Sequence, residues 1–515
     1  MNASIQPLSL RAHLGWSLVA LISFHAAHHF GIGWLLIPCG YALIELSRAA
    51  SRRKVFYPML ALGFLFYAPQ LGFFWSIFGP SAIALWLVLA FWIALFGLAL
   101  HLVRRRFGNG WMLALAPFLW TGLEYFRSEL YYLRFGWLTF GMANHEASGL
   151  ASKGGSFLLG FVFVICAAQI QTARTWGSLR SITSLVCITV LGTLMSLSWQ
   201  LVELGLLSIA WLLACAAIVQ FSKGSYRNVV VFVLCSLVVF GVWRPFSKRK
   251  MESNSGLPVA GIQLEFPDEE EVIAGLNRAK TKFPDAQLFM LSEYTFQEPV
   301  PQSVRDWCAS NQVHLVVGGK EPLGETNFYN MAYVIGTNGA IVHQQVKSVP
   351  IQFFQDGLPA PERKVWDSPW GKLGVLTCYD LSYTRVVDDF VRQGAIALLN
   401  PTMDVAEWGA HQHELHSRIT PVRAAEYGIP IFRVASSGIS QLVSQTGRVI
   451  ASAPFPGGGD IIGGHLTLNA RPRLPLDRWL APACVGITAL TLIAVLIPAR
   501  KKDLSAAESA PATKT

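Results

Sequence analysis

Two kinds of hydrophobic patterning divide the chain. Up to residue 244 the apolar positions run in long blocks separated by short polar or basic loops. A membrane-spanning helix needs roughly 20 apolar residues. Nine blocks approach that length: 14–29, 31–47, 57–79, 81–103, 111–127, 155–172, 181–198, 201–221 and 228–244, with a tenth at 479–498. Because many blocks follow the first, it is expected to be an uncleaved helix rather than a signal peptide. Between the ninth and tenth blocks the pattern changes. Short apolar runs at 259–264, 286–291, 314–319, 331–336, 340–346, 373–378, 395–400, 431–436 and 439–445 read as strands. Helical stretches fall at 269–283, 303–311, 383–394 and 411–427, and Gly-bearing turns such as 336–339 and 445–448 separate elements. Paired strands with intervening helices predict an α/β sandwich with helices covering sheets.

The expected organisation is a polytopic α-helical membrane domain over 1–250 and an α/β domain over 256–472. A closing helix at 479–498 and a polar cytoplasmic tail at 499–515 follow. Only 14% of the 515 residues are charged, against about 25% in a soluble domain, and the deficit lies in the long apolar blocks. The net charge of +10 belongs mainly to short loops. Basic clusters follow the second, fourth, sixth, eighth and tenth blocks, whereas the connections after the first, third and seventh lack Lys and Arg. That alternation predicts a cytoplasmic N-terminus and an α/β domain outside the cytoplasm. The cluster Arg244, Lys248, Arg249 and Lys250 runs against it. Basic residues confined to loops between spans argue against nucleic-acid binding. Of eight cysteines, six lie in apolar blocks, and Cys308 and Cys378 alone fall in the α/β region, so no disulfide framework is visible.

In layered α/β folds chemistry collects beyond the carboxyl ends of strands. Three polar residues occupy such positions: Glu293 after AQLFMLS, Lys347 after AIVHQQV, and Cys378 closing LGVLTC. A thiol must lose its proton to attack, a carboxylate can accept that proton, and an ammonium can stabilise the developing oxyanion. Spacing alone leaves the plainer reading open: an inert buried Cys with a solvated Glu and Lys. The stretch HQHELH (411–416) invites a metal site, but His411 and His413, at i and i+2, point apart on a helix. Glu124 and Arg127, at i and i+3 near a span end, could pair, line a cavity or anchor a helix.

LSEYTF around Glu293, VHQQVKSVP around Lys347 and VLTCYD around Cys378 resemble the three catalytic signatures of the nitrilase superfamily, in its chain order. Residues 61–79, 115–141 and 423–450 resemble segments of apolipoprotein N-acyltransferases, so the resemblance covers nearly the whole chain. It implies an α-β-β-α sandwich domain, with Cys378 as nucleophile, Glu293 as general base and Lys347 as stabiliser of the oxyanion. It further implies acyl transfer from membrane phospholipid, through a Cys thioester, to the N-terminal amine of diacylglyceryl-cysteine lipoproteins. A bacterial inner-membrane location, a periplasmic catalytic domain, a monomer, and no cofactor or metal go with that reading. The chain departs from the family pattern in places. Leu291-Ser292 replaces Trp-Pro before the glutamate, and Cys378-Tyr379-Asp380 replaces Cys-Tyr-Glu. The run after Lys347 lacks the family's supporting glutamate; Gln352, Gln355 and Asp356 are the nearest candidates. Supporting roles are therefore expected for Tyr379, Asp380, Gln352 and Gln355. Two spans beyond the family's usual eight are expected, with the added hairpin at 181–221. The departures leave room for a paralogue with another acceptor, a membrane-tethered amidase, or a non-catalytic scaffold.

Overall fold

A computed structural model describes residues 8–143, 152, 154–176 and 256–497; the blocks expected at 181–198, 201–221 and 228–244 lie outside them. Helices Leu10–Phe30, Leu36–Leu46, Arg52–Gln70, Ser81–Phe107, Asn109–Tyr125 and Ser156–Trp176 occupy the first six apolar blocks, and Asp477–Leu496 the last. The third block is broken: a short helix, Phe73–Phe78, follows Gln70. Among the described residues, Ser81–Phe107 and Asp477–Leu496 are long and apolar enough to cross a membrane. Inward faces of the helices share one core that includes Phe24, Phe66, Phe96 and Leu119. Their outer faces are also apolar. Leu14, Leu18 and Ile22, spaced one helical turn apart, are exposed, as are Leu87, Phe91, Leu490 and Ile493.

The α/β half holds two six-stranded sheets. One has the order β12-β1-β2-β3-β4-β5, with β1 Leu257–Ile262, β2 Leu288–Met290, β3 His314–Leu323, β4 Asn327–Ile335, β5 Ile341–Val346 and β12 Ile461–Leu466. The other has the order β11-β10-β9-β8-β7-β6, with β6 Trp366–Ser368, β7 Gly371–Val375, β8 Ala397–Thr402, β9 Ile431–Ala435, β10 Ser440–Val443 and β11 Val449–Ala453. The central strands are parallel and the edges antiparallel. A strand covered on both faces needs apolar residues at every position, and β2 shows why. Leu288 and Met290 pack between the sheets with Val316, Val375 and Leu399. Phe289, between them in sequence, packs outward with Leu276 and Trp307 of the helices Glu269–Lys282 and Gln302–Asn311.

The second sheet's outer face is covered by helices Thr384–Arg392 and Ile419–Tyr427. Their residues Val387, Phe390 and Ala424 join the same core as the first half's helices. The fourth layer of the sandwich therefore lies against the helical half. Two sequence expectations change here. The helix expected over 411–427 is two, Ala410–Ser417 and Ile419–Tyr427. Pro421 lacks an N–H and crowds the carbonyl four residues back, which belongs to Ser417. The strand expected to run to Cys378 stops at Val375, because Thr377 and Asp380 form a capping box that opens a tight helical turn over Cys378–Ser382.

Candidate active site

Glu293, Lys347 and Cys378 lie at the ends of strands from both sheets, and each is at most 2% exposed. Glu293 is the third residue past β2, directly after Ser292, in a loop pressed against β3. The N–H of Gly318 donates to the Ser292 carbonyl at 3.1 Å. A Cβ on Gly318 would meet the Glu293 Cα at 2.6 Å, so only glycine allows this approach. Lys347 follows β5, and its Nζ donates to Glu293 Oε1 at 2.8 Å and pairs with Asp356 Oδ2 at 2.7 Å. Asn330 Nδ2 bridges the same two carboxylates at 2.7 and 3.0 Å. Asp356 also accepts from the Tyr294 hydroxyl and the Ile351 N–H, each at 2.7 Å.

Cys378 opens the tight turn with φ at +51°, a left-handed conformation that costs a non-glycine residue roughly 1–2 kcal/mol. This bend aims the thiol out of the strand line. Its Sγ donates to the Met403 carbonyl at 3.6 Å, while the Met403 N–H donates to Glu293 Oε2 at 2.8 Å. Met403 thus touches the thiol and the carboxylate at once. The following residue, Asp404, anchors it. Asp404 pairs with Arg433 at 2.5 Å and His416 Nδ1 at 2.7 Å, and its own N–H donates to the Ser436 hydroxyl at 3.0 Å.

The cluster's charges do not cancel. One ammonium serves two buried carboxylates, Glu293 and Asp356. Burial raises Glu293's proton affinity; Lys347 opposes that, and Asp356 adds to it, leaving Glu293 above the ordinary carboxylate range. Burial also works against the Lys347 ammonium, but Asp356 and Glu293 outweigh it and keep the amine charged. Burial and the Glu293 charge push the Cys378 thiol well up despite Lys347. The resting thiol is therefore protonated beside a carboxylate of raised basicity, an arrangement suited to proton transfer at the moment of attack rather than to a standing thiolate.

Of the supporting residues expected from sequence, Asp380 is tied to the lysine loop. Its carboxylate accepts from the N–H groups of Ser348 at 2.9 Å, Val349 at 2.7 Å and Thr377 at 3.2 Å. It does so from the helical turn and not from an extended strand. Tyr379 packs edge-on against Tyr383, with centroids 5.0 Å apart. Gln352 turns away, donating to the Tyr132 carbonyl of the helical half, and Gln355 is exposed. The residue of the lysine loop that joins the cluster is Asp356. Met403, Asn330 and Asp404 were not foreseen; a backbone contact and two residues distant in sequence leave no local pattern. Among the described residues no group of three His, Cys, Asp or Glu side chains is placed to hold a metal ion. Arg127 donates to the Phe135 carbonyl at 2.8 Å, just before Trp137, and Glu124 accepts from the Phe140 N–H at 2.9 Å, just after it, so the two brace the turn on either side of Trp137.

Cys378 lines an open cleft between the two halves. The helical half contributes Phe73, Phe74, Phe78 and Leu85 to its walls; the α/β half contributes Val349, Ile351, Phe354 and Tyr383. The two sheets with helices on their outer faces form an α-β-β-α sandwich, and residues 277–468 match the carbon-nitrogen hydrolase family. Residues 17–169 match the apolipoprotein N-acyltransferase N-terminal domain. The chain thus carries matches to both the N-terminal domain model of apolipoprotein N-acyltransferases and the carbon-nitrogen hydrolase model. Among curated relatives, the apolipoprotein N-acyltransferase of Rhizobium rhizogenes is 32% identical over 158 residues, covering 25% of this chain and 28% of the relative. That of Rhizobium etli is 30% identical over 194 residues, covering 36% of this chain and 31% of the relative. The chain therefore aligns with about a third of these relatives' length. A carbon-nitrogen hydrolase structure from Helicobacter pylori aligns at 18% identity and a TM-score of 0.35, covering 45% of this chain and 93% of that one.

Proposed function

We propose that this chain is a membrane acyltransferase. It takes an acyl chain from phospholipid onto Cys378 and passes it to the α-amine of a diacylglyceryl-cysteine at a lipoprotein N-terminus. The observation that carries the reading is the cleft. A nucleophile that opens onto a mostly apolar cleft, half of whose walls come from a helical domain with apolar outer faces, suits a lipid ester better than a small soluble amide. The helices with exposed Leu, Ile and Phe support a multi-pass arrangement. The basic-loop alternation supports an α/β domain on the periplasmic face of a bacterial inner membrane.

The reaction is ping-pong. Glu293 takes the Cys378 proton as sulfur attacks the ester carbonyl. The Lys347 ammonium stabilises the oxyanion. Collapse breaks the ester bond, and Glu293 protonates the departing lysophospholipid hydroxyl. In the second half the amine attacks the thioester. Glu293 takes a proton from nitrogen and returns it to the sulfur as the C–S bond breaks. The apolar cleft keeps water scarce, which favours the amine over hydrolysis.

The test is intact-protein mass after incubation with phospholipid, followed by a gel shift of a diacylated model lipoprotein. Wild type and Cys308→Ala are expected to gain one acyl mass and pass it on, and Cys378→Ala to gain none. Acylation of Cys378→Ala would refute the assignment. A wild type that acylates itself but leaves the lipoprotein unmodified would point to another acceptor.

A further inference from the structure

The cleft is mostly apolar, with Gln352, Gln412, His416 and Arg134 as the polar side chains in its lining. Arg134 lines it, between Leu133 and Phe135, in the turn that leads to Trp137. It is the one permanently charged side chain in the lining, and no carboxylate joins it there. Among the described residues no Asp or Glu lies within ion-pair distance of its guanidinium, and its Nε is buried without a hydrogen-bond partner. The guanidinium lies 5.6 Å from the centroid of the Tyr383 ring, and Arg385 lies 5.0 Å from the same centroid. Arg385 donates to the Glu129 backbone carbonyl at 2.7 Å and its charge is already met by the Glu129 carboxylate, which leaves Arg134 as the cation without a carboxylate partner. Arg134 is half-buried, so its guanidinium carries a free donor at the edge of the cleft, and an anion with several acceptor oxygens arriving with the ligand would meet it with charge-assisted hydrogen bonds.

We infer that Arg134 is the phosphate-binding residue of the donor-lipid site. The inference rests on the acyl-donor reading above. A diacyl phospholipid carries two ester-linked tails and one phosphodiester close together. With an ester at Cys378 and a tail against Phe73, Phe74 and Leu85, the phosphodiester needs a cation within the same cleft, and Arg134 is the cation available. The planar fork of Arg can donate two hydrogen bonds to phosphate oxygens, which Lys cannot reproduce. Arg134 thus selects phosphate-bearing donors over neutral glycerides of the same tails, and does no proton transfer.

The test compares dioleoyl phosphatidylglycerol with dioleoylglycerol as acyl donors in detergent micelles, reading acylation of Cys378 in the full chain. A hydrogen bond to a charged group contributes about 1.5–3 kcal/mol, a factor of about 10 to 100 in affinity. In Arg134→Gln, kcat/KM for phosphatidylglycerol relative to dioleoylglycerol is expected to fall by that factor, carried by KM, and Arg134→Lys is expected to recover part of it. An unchanged ratio would overturn the inference. So would equal loss with both donors, which would mark Arg134 as structural. Inorganic phosphate that inhibits the wild type, with the two donors used equally, would assign the site to free anions instead. A separate arm measures binding of a diether phosphatidylglycerol to Cys378→Ala, with and without Arg134→Gln. A wild type that never acylates itself, yet binds the diether lipid through Arg134, would sink the acyl-donor reading and leave the phosphate site standing. Equal affinity in the two variants would sink the phosphate site.

Discussion

At the residue scale the site turns on an odd number of charges. Asp356 and Glu293 share one Lys347 ammonium; burial does most to raise Glu293, and the Asp356 charge adds to it against the pull of Lys347. Removing the Asp356 charge has a definite sign. In Asp356→Asn the negative charge beside Glu293 is gone, so Glu293 ionises at lower pH. The acid limb of the acylation rate, set by Glu293 losing its charge as pH falls through its raised value, is expected to move to lower pH. The plateau rate is expected to drop by about 10²-fold, because Lys347 and Ile351 lose a shared anchor and reacting groups shift by a fraction of an ångström. Single-turnover acylation of Cys378 across pH reads both changes. A limb that stays in place would show that Asp356 does not tune Glu293.

At the element scale, placement depends on where strands end. The sequence pattern marked nine strands near their observed positions, since a run apolar on every residue has few other homes. It missed β6, β11 and β12. β6 has three residues, β11 is largely exposed, and β12 carries Gly463-Gly464 beside polar neighbours; edge strands of this kind have little apolar pattern to show. The apolar run into Cys378 hid the end of β7, although Thr377 and Asp380, three apart, form a readable capping signal. Glu293, Lys347 and Cys378 were legible as strand-end residues. The choice of Asp356 over Gln352 and Gln355 was not, because a loop has no period from which to infer direction. The contact of β3 with the Glu293 loop gives a test. In Gly318→Ala the added methyl meets backbone on both sides of Glu293. Overpacking of this kind costs about 1–3 kcal/mol. Lower thermal stability and slower acylation are expected together, and a stable, fully active variant would show that the loop can yield.

At the scale of the whole molecule the halves are fastened at several points. Glu129 of the helical half accepts the Thr384 N–H at 2.8 Å, and Trp137 donates to the Ser382 hydroxyl at 3.0 Å. On the proposed function, a cleft shared this way requires the α/β half to sit on the side where phospholipid and lipoprotein are presented. A reporter fused near residue 256 is expected to be active only if it functions outside the cytoplasm; activity of a cytoplasm-only reporter there would reverse the orientation and remove the lipoprotein acceptor. The tightest fastening involves the closing helix. The N–H groups of Ser156 and Phe157, at the start of helix Ser156–Trp176, donate to Glu426 at 2.5 Å and Asp477 at 2.9 Å. Arg478 joins Asp477 at 2.6 Å, Asp388 at 2.7 Å and the Tyr427 hydroxyl at 2.5 Å. One joint thus needs the middle of the chain, the catalytic layer and residues 477–478. During synthesis those last two emerge after every residue of the cleft has been made. The ribosome must therefore pass them before Arg478 can bind Asp388 and Tyr427, and a nascent chain holding Cys378, Glu293 and Lys347 would still lack this clasp between its halves.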